Sequence, residues 1–342
     1  MTFKFRIIQL VLLTLASGFL YSQDIHFTQF NLAPLSYNPA MTGGFYGSIR
    51  VGGIYRDQWA SVYNTPSFYL DSPILKGFRK QDWIGVGIFA FQDEAESEYI
   101  PFASGAQSKR GTLTTGGLLS SAAYHFALDE ERNTVIALGG QFGTLSKKID
   151  GQFEFEDGIL DNGQTQEQLP DKDSPKSYLD ISAGLTITGR TTGESFYRLG
   201  ISAMHINKPD NAVRGGGAST ELPMRIIGYG TYYMDLNEKF LVLPSVLFQS
   251  LGPASELDLQ GMVGYKIPSE STVLKAGLGY RIGDALQVLL GVDYKDLRVG
   301  ASYDLTLSAL SSPHNGFEIG VAYIAKIYKR PKVDPVIFCP RF

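Results

Sequence analysis

The chain has little cysteine, and the residue clusters typical of metal sites and common active sites are missing. Cys339 is the one cysteine in 342 residues, which excludes an internal disulfide framework and a cysteine-based zinc cluster. The four histidines are scattered without metal-ligand spacing, and neither a G-x-S-x-G motif nor a P-loop is found. We therefore predict that the protein is not an enzyme and has no catalytic residues, no cofactor and no metal site.

An excess of basic residues is also missing. The formal net charge is −4 and the sequence pI is about 5.7. Because phosphate binding normally needs a concentrated basic face, this balance argues against nucleic acid as a partner.

Long apolar runs are confined to the beginning of the chain. Lys4 and Arg6 precede an apolar stretch from Ile7 to Leu20, which is the form of a signal peptide. The alternative is an uncleaved membrane anchor, for which the stretch is short. We predict a signal peptide over residues 1–22, removed so that the mature chain begins at Gln23.

What the chain does have is glycine, aromatic residues and alternation, with 38 Gly, 21 Phe and 19 Tyr. From Tyr178 to Thr188, every second side chain is apolar and the others are polar or small. Side chains of a strand point alternately to its two faces, so each segment of this kind predicts a strand with one apolar and one polar face. The alternating segments begin near Ile49, Pro66, Trp83, Gly116, Arg132, Ser177, Phe196, Leu222, Phe240, Glu256, Ser271, Leu286, Leu297 and Gly316.

About fourteen such segments predict an all-β fold, namely a transmembrane antiparallel β-barrel over residues 49–328 in an outer membrane. A soluble β-sandwich would also alternate, but the tyrosines at strand ends resemble the interfacial aromatic girdles of membrane barrels. These are Tyr280, Tyr294, Tyr303 and Tyr323. Within this pattern Pro244 lacks the N–H that a strand needs, and we expect a bulge there.

Connection lengths predict the orientation of the barrel. If the N-terminus is periplasmic, the odd-numbered connections face outward, and they include the long segments Gln92–Thr115, Ser146–Lys176, Asn207–Glu221 and Thr306–Asn315. The acidic stretches Asp93–Glu98 and Glu154–Asp173 fall in two of these loops; we interpret them as solvated loop surface, with Ca²⁺ binding as the alternative.

The polar faces of the strands carry charges of both signs, which can pair across neighbouring strands. Such an interior favours a plugged or narrow barrel over a wide pore. The residues predicted to face the lumen are Arg50, Asp180, Arg198, Lys275, Arg281, Asp293, Arg298, Asp304 and Glu318.

Three motifs stand in order at the start of the mature chain. They are Gln23, Asp24, His26, Phe27, Thr28, Gln29 and Phe30; then Asn38, Pro39, Ala40 and Gly43; then Arg50 with Tyr55, Arg56, Asp57, Gln58 and Trp59. This order resembles the PorP/SprF family of Bacteroidetes outer-membrane proteins, in which Q-D-P-x-F-S-Q-[YF], N-P-A-x-x-G and Y-R-x-Q-W follow one another. Ile25 and Thr28 depart mildly from the first motif.

The resemblance implies a component of the type IX secretion system that helps to export or display a large surface adhesin and takes part in gliding motility. The implied partners are the adhesin or its C-terminal sorting domain, other secretion components tied to peptidoglycan in the periplasm, and outer-membrane lipid. A passive transporter of small or apolar solutes is the alternative function.

We interpret residues 23–48 as a periplasmic segment that contacts partners, with a plug inside the barrel as the alternative. Residues 329–342, which contain three prolines, are expected to form a periplasmic tail. The candidate residues for partner binding or for a plug are Phe27, Phe30, Asn38, Pro39, Arg50, Tyr55, Arg56 and Trp59.

Overall fold

The structure is a computed structural model that describes residues 24–58, 63–75, 81–96, 112–150, 176–210, 221–268, 270–307 and 315–327. The segments interpreted as signal peptide and C-terminal tail lie outside these ranges. Among the residues within them, no helix has the length and apolar character needed to cross a bilayer.

Fourteen strands form one closed antiparallel barrel in which each strand pairs with its neighbours in the chain. The first and last strands complete the ring in continuous register, from Ile49 opposite Ala325 to Gln58 opposite Gly316. Closure satisfies every strand edge, as hydrocarbon requires. The strands are β1 Ile49–Gln58, β2 Tyr63–Ile74, β3 Trp83–Glu96, β4 Thr112–Ala127, β5 Thr134–Asp150, β6 Lys176–Arg190, β7 Phe196–Met204, β8 Arg225–Asp235, β9 Phe240–Leu251, β10 Ala254–Ile267, β11 Thr272–Arg281, β12 Ala285–Tyr294, β13 Leu297–Thr306 and β14 Gly316–Ala325.

The alternation in the sequence separates a lipid-facing surface from a polar lumen. In β6, Leu179 is 54% exposed on the outside, whereas the next residue, Asp180, is 1% exposed inside. The charged residues predicted for the lumen are on the inner face, so the transmembrane barrel predicted from the sequence is confirmed.

The two ends of the barrel differ in their connections. The long connections 97–111, 151–175 and 205–224 all leave one end, here named the loop end. The connections at the other end, the turn end, are short, as between β8 and β9 or β12 and β13. β1 starts at the turn end and β14 finishes there.

Three strands extend into segments that the sequence assigned to long loops. β3 continues to Glu96, β4 begins at Thr112 and β5 continues to Asp150. Asp93, in the first acidic stretch, is therefore a strand residue whose carboxylate accepts a 2.6 Å hydrogen bond from Thr65. The second acidic stretch lies outside the described residues.

The bulge expected at Pro244 is not formed. The pairing of β8 with β9 skips Tyr232, Tyr233, Leu243 and Pro244 but resumes in the same register on either side. Neither strand therefore carries an extra residue. The missing proline N–H is accommodated by a local gap in the ladder.

Residues 24–48 lie inside the barrel, in contact with its inner wall, and not beyond its turn end as in the periplasmic interpretation. We name them the plug. The plug has little regular structure beyond the 3-10 turns Phe30–Leu32, Pro34–Ser36 and Pro39–Met41. Its buried side chains, such as Phe30, Leu35 and Phe45, pack inside the ring of strands.

Candidate functional site: the plugged lumen

The plug runs the length of the lumen. Asp24 contacts His205 and Arg225, which lie just after β7 and at the start of β8, at the loop end. Gly43 contacts Asp71 and Trp83, near the turn end. The chain therefore descends from the loop end to the turn end before it turns back as β1.

An ion cluster holds the first residues of the plug at the loop end. The Asp24 carboxylate lies 3.1 Å from His205 Nε2 and 2.6 Å from Arg225 Nη1. The other ring nitrogen of His205 lies 2.6 Å from Asp180 of β6. Both plug and barrel thus supply charges to a single cluster.

The cluster sets the protonation of its members. Burial opposes the charged form of His205, but Asp24 and Asp180 together raise its pKa from 6.5 to about 9. Burial likewise opposes the Asp24 carboxylate, but Arg225 and His205 hold its pKa well below its usual range. The plug is therefore held here by an imidazolium, a guanidinium and two carboxylates.

A second loop-end cluster holds Thr28. Its N–H donates to Glu318 Oε1 at 2.7 Å, and its hydroxyl donates to Asp304 Oδ2 at 2.8 Å. Arg56 Nη1 lies 2.5 Å from the same Glu318 oxygen, and Arg281 Nη1 lies 3.2 Å from Asp304. One threonine therefore joins β1, β11, β13 and β14, across the seam where the barrel closes.

The Asn-Pro-Ala motif shapes the middle of the plug. The Asn38 side chain caps its own turn by accepting from Ala40 N–H at 2.8 Å, and its amide donates to the carbonyl of Ile201 at 3.0 Å. Pro39 opens the turn, where the absence of an N–H costs nothing. Glycines at 139 and 184 admit the plug, because a Cβ at either would collide with residues 38–40.

Aromatic side chains also pack around the plug. The Phe30 and Tyr37 rings meet edge to face at 5.8 Å between centroids, and Tyr37 meets Tyr229 of β8 in the same way at 4.9 Å. Phe27 packs against Ala33 of the plug and Ile54 of β1. Such edge-to-face pairs fix ring orientation as well as burying apolar area.

At the turn end, buried polar contacts hold the last part of the plug. Trp83 Nε1 donates to the Gly43 carbonyl at 2.9 Å, and His125 Nε2 lies 2.8 Å from the Thr42 carbonyl. The two rings stack with centroids 4.5 Å apart. Sequence analysis did not predict a contact of either residue with the plug, because nothing local to β3 or β4 shows that the two side chains meet there.

The candidate residues separate into three groups. Phe27, Phe30, Asn38, Pro39, Arg50 and Arg56 lie in the lumen. Tyr55 faces outward, 41% exposed, and donates to Asn64 at 2.9 Å. Trp59 lies outside the described residues. The sequence did not single out Asp71, His205 or Arg225 as site residues, although the position of Asp71 on an inner face was a usable signal.

The plug does not fill the lumen completely. A cavity of about 80 Å³ lies between plug residues Gln29 to Leu32 and the inner faces of β7 to β13. Across the described parts of the chain, no group of three or more His, Cys, Asp or Glu is arranged to hold a metal ion.

Comparison with solved structures supports the fold. The toluene transporter TbuX of Ralstonia pickettii is similar, with a TM-score of 0.54 and 12% identity over 87% of this chain and 94% of that chain. The toluene transporter TodX of Pseudomonas putida is similar with a TM-score of 0.51 and 12% identity, over 88% of this chain and 94% of that chain. A search of curated proteins finds no match.

One family accounts for most of the chain. The family described as "Type IX secretion system membrane protein PorP/SprF" matches residues 19–323. The match includes the plug, the three motifs and all but the end of the last strand. The chain therefore belongs to the PorP/SprF family of type IX secretion system membrane proteins.

Proposed function

We propose that this protein is a non-enzymatic outer-membrane component of type IX secretion that helps to export or display a large surface adhesin and takes part in gliding motility. The observation that carries the proposal is the plug, which occupies the lumen and is held at both ends by buried ion pairs and hydrogen bonds. A barrel filled in this way serves better as a docking platform than as a conduit.

The asymmetry of the connections supports an orientation. Outer-membrane barrels have short periplasmic turns and longer extracellular loops. The loop end then faces outward and the turn end faces the periplasm. In this orientation the adhesin, or its C-terminal sorting domain, meets the loop end, and peptidoglycan-linked components meet the turn end.

Gene deletion tests the proposal. In the deletion strain we expect loss of a large adhesin from the cell surface, measured by protease shaving and mass spectrometry, with uptake of small apolar solutes unchanged. Complementation with the intact gene should restore the adhesin. Normal surface adhesin together with impaired solute uptake would refute the proposal.

Passive transport of small or apolar solutes is a second candidate function. The cavity of about 80 Å³ beside the plug favours it, and the barrel fold is compatible with it. Transport would require a route past the ion clusters at the loop end. The deletion experiment separates the two candidates because each predicts a different lost property.

A further inference from the structure

The second loop-end cluster belongs to a larger set of charged side chains in which carboxylates outnumber cations. We name this set the Arg281 network; its members are Arg56, Glu256, Asp258, Arg281, Asp284, Asp304 and Glu318. Five carboxylates share two guanidinium groups, and within the described ranges no further cationic side chain forms an ion pair with them. Because charges interact more strongly inside a protein than in water, this excess of negative charge favours the entry of a cation.

The connections that adjoin the network do not supply that cation. The strands that carry the network are joined at the loop end by residues 59–62, 252–253, 282–284 and 307–315. In the sequence, none of these four connections contains lysine or arginine. Their one basic residue is His314, and histidine is mostly uncharged at pH 7.

The accessible edge of the network faces the loop end. The Asp284 side chain, in the turn between β11 and β12, is 39% exposed, and that of Glu256, at the start of β10, is 24% exposed. Both carboxylates lie 3.2 Å from nitrogen atoms of the same Arg281 guanidinium. The two groups that an incoming cation meets are therefore held in place by one buried side chain.

Behind this edge, one carboxylate oxygen has no donor. Asp258 is 1% exposed, and its Oδ1 atom is buried without a hydrogen-bond partner. Its other oxygen, Oδ2, accepts from Gln287 Nε2 at 2.7 Å and lies 3.7 Å from Arg281 Nε. A buried acceptor without a donor is costly, so Asp258 marks where a donor is missing from the network.

We propose that the edge formed by Glu256 and Asp284, with Asp258 behind it, binds a lysine or arginine side chain of a protein partner. Such a side chain carries a positive charge and only donors, which are what the network lacks. The proposal deepens the proposed function and rests on it for the choice of partner, because the exported adhesin is the protein expected at the loop end.

The test uses the purified barrel in nanodiscs of phosphatidylcholine, whose headgroups have no net charge. The probe is a fluorescent peptide of alternating glycine and lysine with three lysines, and its control is the same peptide with every lysine acetylated. Fluorescence anisotropy should show saturable binding of the lysine peptide. The acetylated peptide should bind at least about tenfold more weakly, roughly the value of one charge-assisted hydrogen bond.

Two variants locate the site. Asp284→Asn and Asp258→Asn keep the size of the side chain and remove its charge, and each should weaken binding of the lysine peptide about tenfold. Glu130→Gln, at the exposed turn between β4 and β5, removes a charge from the opposite end and should leave affinity unchanged. The slower migration of the barrel after heating, seen in gel electrophoresis, checks that each variant is folded.

Cross-linking with a water-soluble carbodiimide identifies the contact directly. The reagent takes up one carboxylate oxygen as its urea, while the lysine nitrogen forms an amide bond with the carboxylate carbon. Mass spectrometry should find the peptide joined to Glu256 or Asp284.

Three results would overturn the proposal. They are cross-links of the peptide to turn-end carboxylates alone, a cross-link of Glu256 or Asp284 to a lysine of the chain itself, and loss of peptide binding when Ca²⁺ is added at constant ionic strength. The deletion experiment is separate from this test. Failure of peptide binding together with loss of the adhesin in the deletion strain rejects this inference alone, whereas an adhesin unaffected by the deletion rejects the proposed function.

Discussion

Arg50 and Asp71 form a two-pronged ion pair inside the barrel, with Arg50 Nε 2.9 Å from one carboxylate oxygen and Nη2 2.7 Å from the other. Both residues also bond the plug, since Arg50 donates to the Met41 carbonyl at 3.2 Å and Asp71 accepts from Gly43 N–H at 2.7 Å. The pair therefore joins β1 and β2 to each other and to the end of the plug.

The first prediction concerns this pair. Arg50→Ala leaves a buried carboxylate without its counter-charge, which costs about 3–5 kcal/mol. We expect a lower free energy of unfolding by about that amount, measured by urea titration of the barrel in lipid vesicles. The double variant Arg50→Ala with Asp71→Ala should lose less than the two single variants summed.

An exposed ion pair provides the control. Lys148 and Asp150 lie 2.7 Å apart with both side chains about half exposed. Lys148→Ala should change stability by less than about 1 kcal/mol. Equal losses for Arg50→Ala and Lys148→Ala would contradict a structural role for the lumenal pair.

The second prediction concerns the fit of the plug against β5. A Cβ at Gly139 would collide with backbone atoms of Pro39 and Ala40, which cannot move aside as a side chain tip can. In planar bilayers the native protein should show no large stable conductance, and Gly139→Ala should show frequent openings as the plug loosens.

The neighbouring glycine is the matched control for that experiment. A Cβ at Gly140 would lie 4.0 Å from the Ser182 carbonyl oxygen, in ordinary contact distance. Gly140→Ala should therefore conduct as little as the native protein. A large stable conductance of the native protein itself would show that the plug does not block the lumen.

The third prediction concerns pH. The pKa of His205 is about 9 in the folded protein, above its unfolded value of 6.5. The contribution of His205 to the free energy of unfolding is thus complete below pH 6.5 and is lost as pH rises through about 9. The depressed pKa of Asp24 adds stability above pH 3.8 that is lost as pH falls.

Amide hydrogen exchange measures how the stability of the plug changes with pH. Protection of the amides of residues 24–28 should be greatest between about pH 4 and 6.5 and should fall between pH 7 and 10, after correction for intrinsic exchange. In the His205→Gln variant, the loss of amide protection above pH 7 should disappear. An unchanged fall in that variant would assign the pH effect to another group.

The fourth prediction concerns orientation. In a Cys339→Ser background, Ser255→Cys places a thiol beside the β9–β10 turn at the loop end, and Glu238→Cys places one at the turn end. A membrane-impermeant maleimide added to intact cells should label the first and not the second. Labelling of Glu238→Cys before lysis, without labelling of Ser255→Cys, would reverse the proposed orientation.

Much of the barrel could be predicted from the sequence because the alternation is local. The predicted starts at Ile49, Trp83, Phe196 and Leu297 coincide with those observed. The loop-end limits of β3 and β5 could not be predicted, because a strand that extends beyond the lipid can carry polar residues on both faces. There Asp93 is held by Thr65 in the adjacent strand, and alternation no longer marks the strand.

The path of the plug could be predicted only in part. The Asn38 cap and the turn at Pro39 follow from local preference. The bond from Thr28 to Glu318 joins residues 290 positions apart, and no local pattern encodes it. The sequence predicted that Glu318 and Asp304 face the lumen. It did not predict that Thr28, in the plug, would contact them.

The attachment of Thr28 to Glu318 and Asp304 has a consequence for biogenesis. Thr28, near the start of the plug, is bonded by carboxylates of β13 and β14, so the plug cannot reach its final position until these two strands have been made and inserted. In truncated chains that lack β13 and β14, the plug would lack these contacts. Closure of the barrel is therefore coupled to occupation of its lumen by the plug.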